Sequence, residues 1–140
     1  MSRVKINFPE TSIFTTDLII TIADINYGGH LGNDRFLTLM QEARLRWLRS
    51  LGFANEKEIS PPIGTIIADA AIQFKAEVFH GEEITIALAI DEIGRKGFDL
   101  LYKLNNKQNL VVALGKTAVV CMDYEEGKAV SIPAILKDQL

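Results

Sequence analysis

A short polar stretch, Asp24–Asn33, carries the residue types most able to do chemistry. It holds two consecutive glycines, Gly28 and Gly29, followed directly by His30. Paired glycines let the backbone adopt positive φ and let a ligand approach closely. A helix that starts just after such a loop offers backbone N–H groups to an anionic or developing-anion oxygen. The pattern therefore indicates an oxyanion-binding loop, or else simply a turn that leads into a core helix.

Two side chains in this region are candidates for acid–base chemistry. The imidazole of His30 could donate to a carbonyl oxygen, orient a neighbour or accept a proton near neutral pH, or it could hydrogen-bond only the local backbone. Asp34 lies in the first helical turn, where the helix dipole favours an ionised carboxylate, so it is either a base or a dipole-stabilising residue. His80 is expected to be a solvated turn residue and Cys121 a buried, inert thiol. Two histidines without a matched third ligand predict no metal site.

The elements that must position these residues are a long helix and several strands. Apolar residues at helical spacing predict a helix from about Asp34 to Leu51, with Asn33 as its N-cap: Phe36, Met40, Ala43, Trp47 and Leu51. Runs rich in β-branched or alternating apolar residues predict five strands: Ser12–Ala23, Ile63–Val78, Glu83–Ile93, Phe98–Asn105 and Leu110–Tyr124. Pro133 is expected to begin a short final helix.

This element order predicts an α+β fold with a curved antiparallel sheet wrapped around one central helix. Such a sheet leaves an open edge, and pairing with a second copy of the chain is an economical way to cover it. At 140 residues the chain is expected to form one domain, residues 1–140. We therefore expect a homo-oligomer, either a dimer or a dimer of dimers.

Composition excludes several classes of function. The net charge is −3 and there is no basic block, which argues against nucleic acid as a partner. No apolar run is long enough to span a bilayer, and the N-terminus does not read as a signal peptide. The single cysteine rules out an internal disulfide. A cytoplasmic location is expected on these grounds.

Three groups of residues together resemble a known family. They are the loop Asp24-Ile25-Asn26-Tyr27-Gly28-Gly29-His30, the helical segment Gln41-Glu42-Ala43-Arg44, and Trp47-Leu48. This pattern resembles hotdog-fold acyl-CoA thioesterases of the 4-hydroxybenzoyl-CoA thioesterase type, and the likeness extends over nearly the whole chain. The resemblance implies a hotdog fold, hydrolysis of an acyl thioester of coenzyme A or a carrier protein, and a site at a dimer interface. It implies no separate cofactor, since coenzyme A is part of the substrate.

The resemblance also implies roles for individual residues. The backbone N–H groups of Gly28, Gly29 and His30 would polarise the thioester carbonyl. The two positions where the family usually carries its catalytic carboxylate are Asn26 and Gln41 in this chain. An amide can hold a water or a carbonyl by hydrogen bonds, but it cannot accept a proton from water. Asp34 is the first candidate for a relocated base, whereas Asp24 matches a family position that more often supports the loop.

Further residues are expected to contact the substrate. Arg95 and Lys96, and in addition Lys116, could meet the phosphates of coenzyme A, although a solvated hairpin tip is an equally good interpretation. Tyr27 and Phe36 could line the acyl pocket or belong to the core. Asp69 could reach the site from the partner's strand, and an unpaired Asp there would be costly if buried.

Three alternatives to hydrolysis remain open at this point. A purely structural subunit is one of them, but it would leave the polar loop unexplained. A non-catalytic module that binds acyl thioesters would accommodate the amides at Asn26 and Gln41 without difficulty. A hotdog hydratase or dehydratase would use a histidine and a carboxylate to move water across a double bond, but the downstream motifs of those enzymes are absent. A close cluster of Asp34, His30 and Asn26 at an interface cleft would favour an enzyme, whereas an apolar cleft without a carboxylate would favour a binding module.

Overall fold

The computed structural model describes all 140 residues, which form one six-stranded antiparallel sheet and one long helix. The helices are α1 (Asn33–Ser50) and α2 (Ala134–Lys137), with a 3₁₀ turn at Ile22–Asp24; the strands are β1 (Phe14–Ile19), β2 (Ile63–Phe74), β3 (Glu83–Asp91), β4 (Gly97–Asn106), β5 (Val111–Asp123) and β6 (Lys128–Ala129). The strand order is β1-β3-β4-β5-β2, and β6 pairs with β5. This is the predicted α+β architecture.

Helix α1 packs its apolar face against the sheet, as its periodicity predicts. The buried residues of the helix are Phe36, Leu39, Met40, Ala43, Arg44, Trp47 and Leu48. Two edge-to-face aromatic pairs fix its ends on the sheet: Phe36 meets Phe74 at 5.2 Å between ring centroids, and Trp47 meets Phe98 at 6.2 Å. The N-terminal end of α1 therefore lies over the end of β2, and its C-terminal end lies over the start of β4.

The start of α1 differs by one residue from the prediction. Gly32, not Asn33, is the N-cap residue, with φ −69° and ψ 149°. Its carbonyl accepts a hydrogen bond from the Arg35 N–H at 3.0 Å, so Asn33 is already helical. No side chain caps this end, which leaves the first N–H groups of the helix free for other acceptors.

Two predicted strands are shorter than their apolar runs. Strand β1 ends at Ile19, and a 3₁₀ turn follows, because the Thr21 N–H and hydroxyl bind the Asp24 carboxylate. Strand β2 ends at Phe74 and not at Val78. Residues 75 and 76 both donate to the Val112 carbonyl, so regular pairing with β5 stops there.

Strand β2 forms one edge of the sheet and is paired on one side only, with β5. A bulge between Ile67 and Asp69 interrupts the register. Ile66 and Phe74 on this strand are 42% and 43% exposed, which is high for large apolar side chains at a sheet edge. No helix in the structure is both long and apolar enough to cross a membrane.

Candidate active site

The loop before α1 is a tight turn held by its own backbone. The Asn26 side-chain oxygen accepts from the Gly28 N–H at 2.9 Å, and the Asn26 carbonyl accepts from the Gly29 N–H at 3.0 Å. The Asn26 N–H donates in turn to the His30 carbonyl at 3.0 Å. Gly29 has φ +82°, a conformation that glycine adopts at little cost. The glycines and Asn26 therefore shape this turn through local contacts.

These bonds narrow the choice of oxyanion donor. The Gly28 and Gly29 N–H groups are occupied within the turn, and the Leu31 N–H donates to the Val78 carbonyl at 2.7 Å. Among the predicted donors only the His30 N–H has no acceptor in the protein. The Asn26 side-chain nitrogen also lacks an acceptor, since its oxygen takes the only bond of that amide. The free donors of the loop are thus the His30 backbone and the Asn26 amide.

Asp24 holds the loop against the helix. Its carboxylate accepts from Thr21 and from Arg35, whose Nη2 lies 3.0 Å from Oδ1. Burial raises the pKa of Asp24, but the hydrogen bonds from Thr21 and the Arg35 guanidinium outweigh it, so the pKa lies below its ordinary value. All of the close polar neighbours of the Asp24 carboxylate are hydrogen-bond donors of the protein, which fits a role in supporting the loop.

A cavity of about 390 Å³, here called the loop cavity, opens beside the turn. It is lined by Ala23, Asp24, Ile25, Asn26, Tyr27, Gly32, Asp34 and Arg35. Asn26 and Asp34 come together over Gly32, where a Cβ would lie 2.7 Å from Asp34 Oδ1 and 3.7 Å from Asn26 Cβ. Asp34 has no ion pair and no side-chain hydrogen bond, so its carboxylate is free at the mouth of this cavity. The Tyr27 ring is fully exposed at its rim.

A second cavity of about 250 Å³, the histidine cavity, lies between the start of α1 and the segment that follows β2. It is lined by His30, Leu31, Asn33, Phe36, Phe74, Lys75, Ala76 and Glu77. His30 Nδ1 lies 3.2 Å from the Leu31 carbonyl, and His30 Nε2 lies 3.8 Å from Glu77 Oε1. Phe36 is buried in the core and also lines this cavity.

The space over Gly28 connects the two candidate groups of the loop. A Cβ on Gly28 would lie 3.0 Å from His30 Nε2 and 3.2 Å from Asn26 Oδ1. The two side chains therefore lie on either side of the position that a Cβ on residue 28 would occupy, and only a glycine leaves that position empty. The structure therefore brings Asn26 close to His30 over Gly28 and close to Asp34 over Gly32, whereas His30 and Asp34 line different cavities.

Gln41 lies apart from this neighbourhood within the subunit. It follows Asp34 by about two turns on the same side of α1, a separation of roughly 10 Å along the helix axis. Gln41 lines a different cavity of about 260 Å³, together with Leu45, Asn55, Glu56 and Lys57. A catalytic part for Gln41 remains a prediction that needs a contribution from another subunit.

The predicted phosphate contacts also lie far from the loop within one subunit. Arg95 and Lys96 are exposed in the turn between β3 and β4, next to the Trp47–Phe98 contact at the C-terminal end of α1. The Lys96 carbonyl accepts from the Cys121 N–H at 2.8 Å, which ties this turn to β5. Their binding of coenzyme A therefore remains a prediction.

Asp69 occupies the outer face of the sheet, away from α1. Its carboxylate accepts from Lys116 at 2.9 Å and from the Ala118 N–H at 3.1 Å, next to the β2 bulge. Hydrogen bonding from Lys116 lowers the pKa of Asp69, and the same bond raises the pKa of Lys116. Lys116 is also 3.2 Å from Asp99, so its charge is already neutralised. Within the subunit the structure does not bring Asp69 or Lys116 to the loop.

Two features near the helix were not predicted from the sequence. Glu77 enters the histidine cavity from a distant part of the chain, and no local spacing links it to His30. Arg44 is buried in the core, where it donates to Glu56 at 2.7 Å and to the Tyr102 hydroxyl at 2.9 Å. Its place four residues after Met40, on the apolar stripe, is a signal that could have revealed it.

His80 and Cys121 have the environments expected from the sequence. His80 is exposed in the turn before β3. Cys121 is fully buried, and burial raises the pKa of its thiol to about 11. An uncharged, inaccessible thiol is a poor nucleophile, as predicted. No group of three or more histidine, cysteine or acidic residues is placed to hold a metal ion.

Comparison with known proteins decides the family. The sequence profile of the thioesterase-like superfamily matches residues 20–140 of this chain. The chain belongs to the thioesterase-like superfamily. This membership confirms the family expected from the loop and helix residues.

Individual relatives support the same assignment. The chain is 29% identical to a 1,4-dihydroxy-2-naphthoyl-CoA hydrolase of Microcystis aeruginosa over 124 residues, which cover 87% of this chain and 88% of the relative. It is also 29% identical to a putative esterase of Aquifex aeolicus over 114 residues, covering 79% and 87% of the two chains. The crystal structure of a Synechocystis 1,4-dihydroxy-2-naphthoyl-CoA thioesterase superposes with a TM-score of 0.82 at 22% identity, covering 90% of this chain and 93% of the other. The hotdog fold is thereby confirmed.

Proposed function

We propose that this protein hydrolyses acyl thioesters of coenzyme A at the loop that precedes α1. The observation that carries the proposal is the open point over Gly28, bordered by His30 Nε2 and Asn26 Oδ1. The same loop also carries two donors without an acceptor in the protein, the His30 backbone N–H and the Asn26 side-chain nitrogen, and it leads into a helix N-terminus. These are the groups that water attack on a carbonyl requires.

The chemistry can be written with the residues present. Water attacks the thioester carbonyl carbon and gives up a proton to a base, and the carbonyl oxygen becomes an oxyanion. The His30 N–H and the Asn26 amide are the donors available to stabilise that oxyanion. Collapse of the intermediate breaks the carbon–sulfur bond, and the protonated base returns its proton to the thiolate. The products are a carboxylic acid and free coenzyme A.

His30 is the base that the geometry favours. A backbone carbonyl can only accept a hydrogen bond, so Nδ1 beside the Leu31 oxygen carries the proton. In the neutral ring the lone pair is then on Nε2, the nitrogen that borders the open point over Gly28. Asp34 is the competing base, since its carboxylate is free and lies next to Asn26.

We further propose that the active form is a homodimer assembled through the open edge of β2. This edge has unpaired backbone groups and exposed apolar side chains, which a second copy would cover. The segment that follows β2, residues 74–77, forms one wall of the histidine cavity. A partner at this edge would therefore border the site. Dimerisation is tested by analytical ultracentrifugation of Ile66→Lys, which places a charge on the edge and should yield monomers.

Aromatic acyl-CoA thioesters are the first substrates to test. A relative with 29% identity is named for a naphthoyl-CoA substrate, and a gentisyl-coenzyme A thioesterase superposes with a TM-score of 0.79 at 24% identity. Thiol release is followed with aromatic, short-chain and long-chain acyl-CoA, for the wild type, His30→Gln and Asp34→Asn. We expect His30→Gln to lose about 100-fold or more in kcat/KM, the scale of general-base catalysis, and Asp34→Asn to lose less than tenfold. The reverse order would assign the base to Asp34.

A second candidate function is binding of acyl-CoA without turnover. The observation in its favour is that amides, Asn26 and Gln41, occupy both positions where the family resemblance implies a carboxylate. Saturable acyl-CoA binding by calorimetry, with no thiol release from any substrate, would favour this function over hydrolysis.

A further inference from the structure

We propose that Arg3 and Lys75 form a binding subsite for the phosphates of coenzyme A, next to the histidine cavity. This inference rests on the proposed function, because it takes an acyl-CoA thioester as the ligand. It gives to other residues the contact that the sequence predicts for Arg95 and Lys96. The observation that carries it is a cavity of about 660 Å³, here called the arm cavity, which the two cations line without any carboxylate.

The N-terminal arm, residues 1–12, brings Arg3 to this cavity. The arm contains no helix or strand, and it runs across the sheet from β3 to β2. Where the arm ends, the Ile13 N–H donates to a carbonyl of β3 at 2.8 Å, and midway the Phe8 ring centroid lies 5.0 Å from Lys103 Nζ on β4. Arg3 then lines the arm cavity at the end of β2. The arm therefore places a cation beside a strand that is distant in the sequence.

The other walls of the arm cavity come from the end of β2 and from the turn between β4 and β5. The Lys75 N–H donates to the Val112 carbonyl at 2.9 Å, which holds Lys75 beside the start of β5. Asn109 lies in the turn, where the Asn106 side-chain oxygen accepts from the Leu110 N–H at 3.0 Å. Three segments that are far apart in the sequence thus build one cavity.

The polar lining of the arm cavity suits a phosphate. It consists of two cations, Arg3 and Lys75, and two amides, Gln73 and Asn109. Neither cation forms an ion pair with a carboxylate of the protein. Two like charges at one cavity repel each other, and a bound anion relieves that repulsion. Guanidinium and ammonium groups form charge-assisted hydrogen bonds with phosphate oxygens.

The arm cavity adjoins the histidine cavity. Phe74 and Lys75 line both cavities, so the two meet at the end of β2. Coenzyme A carries its phosphates at the far end of a flexible pantetheine chain from the thioester, so one molecule can occupy both cavities. Arg95 and Lys96, in contrast, lie at the other end of α1 from His30 within a subunit. The arm cavity is therefore the better placed of the two cationic sites.

Arg3 and Lys75 are both exposed, which limits the effect of each charge. We expect Arg3→Gln and Lys75→Gln each to raise KM for an acyl-CoA about two- to fivefold, and the double variant to raise it about tenfold. The phosphates take no part in the chemical step, so kcat should not change. Added salt should raise the KM of the wild type, because it screens exposed charges.

The test compares two substrates that carry the same aromatic acyl group, the acyl-CoA and the acyl-pantetheine thioester, which lacks the phosphates. The Arg3 and Lys75 variants are measured beside Lys137→Gln, which removes an exposed charge in α2. A rise in KM for the acyl-CoA alone, absent from Lys137→Gln, would support the subsite. An unchanged KM in the double variant, or an equal loss on both substrates, would overturn it. A rise in KM confined to Lys96→Gln would also overturn it, since the phosphates would then bind at the turn between β3 and β4.

A second measurement does not depend on turnover. Calorimetry measures the binding of free coenzyme A to the wild type and to the double variant, and we expect the double variant to bind about tenfold more weakly. Equal affinities, or no binding by the wild type, would overturn the subsite. Weaker binding by the double variant together with no thiol release by the wild type would support the subsite and refute hydrolysis. Normal turnover with an unchanged KM in the double variant would refute the subsite alone.

Discussion

Substitution of Gly28 by alanine should damage the site more than the fold. The backbone φ of Gly28 lies outside the positive range that disfavours other residues, so the added methyl meets no backbone strain. The methyl would, however, lie 3.0 Å from His30 Nε2, 3.2 Å from Asn26 Oδ1 and 3.3 Å from His30 Cδ2. All three distances are shorter than an ordinary contact of about 3.5–4.0 Å. One or both side chains must therefore move, and either movement displaces a group that we place in the site.

The magnitude follows from the size of that displacement. Relief of the contacts requires a shift of about half an ångström, and a displacement of about 1 Å in a reacting group can cost roughly 100-fold in rate. We therefore expect kcat/KM to fall about 10- to 100-fold in Gly28→Ala. Stability should change by less than about 1 kcal/mol, because alanine restricts the unfolded chain and offsets part of the crowding.

Gly29→Ala provides the matched control. Gly29 has φ +82°, and a Cβ there would meet nothing within 4 Å. An alanine should therefore cost about 1–2 kcal/mol in stability through backbone strain, while the space over Gly28 stays open. The folded Gly29→Ala protein should keep at least half of its activity.

The assay is thiol release from an aromatic acyl-CoA, with urea unfolding of each variant to measure stability. We expect Gly28→Ala to lower mainly the activity and Gly29→Ala to lower mainly the stability. Unchanged kcat/KM in a folded Gly28→Ala protein would refute a part in the reaction for the His30 and Asn26 side chains in their observed positions. An equal loss of activity in both variants would also refute it, since any change in the loop would then lower activity.

Three further predictions concern the buried polar groups. Asp24→Asn should lower the free energy of unfolding by about 1–3 kcal/mol at neutral pH. The difference from wild type should shrink as the pH falls below the ordinary carboxyl pKa of 3.8, because a lowered pKa means that the ionised form stabilises the fold. Urea unfolding at several pH values measures this difference, and a difference that stays constant with pH would contradict the prediction. Arg44→Met should lower the free energy of unfolding by about 3 kcal/mol. This is the low end for a broken buried ion pair, because Glu56 keeps contact with water. A loss below about 1 kcal/mol would contradict the buried pair. Cys121, with a pKa of about 11, should react with a thiol reagent only when the protein unfolds, so rapid labelling in native buffer would show that its burial is wrong.

The helix and the sheet could be predicted because their signals are local. The apolar spacing in α1 and the β-branched runs reflect burial on one face, which each segment records in its own sequence. Element ends were less accurate. The N-cap moved from Asn33 to Gly32, and β2 stopped at Phe74, because hydrogen bonds to other parts of the chain decide where an element ends.

The loop was predictable for the same reason, since its glycines and Asn26 act through contacts within a few residues. The choice of His30 as the free donor required the structure, because the Leu31 N–H is occupied by Val78 from a distant segment. Glu77 reaches His30 through that same contact. Sequence spacing carries no information about such a pair.

The most direct test of the account is the rate of thiol release from an aromatic acyl-CoA by the purified wild-type protein, measured beside His30→Gln and a blank without protein. Because Cys121 is buried, it should not contribute to the thiol signal. The account predicts saturable turnover by the wild type that falls by about 100-fold or more in a folded His30→Gln protein. Turnover that survives in His30→Gln would contradict the assignment of the base, and saturable binding without wild-type turnover on any acyl-CoA would contradict hydrolysis itself.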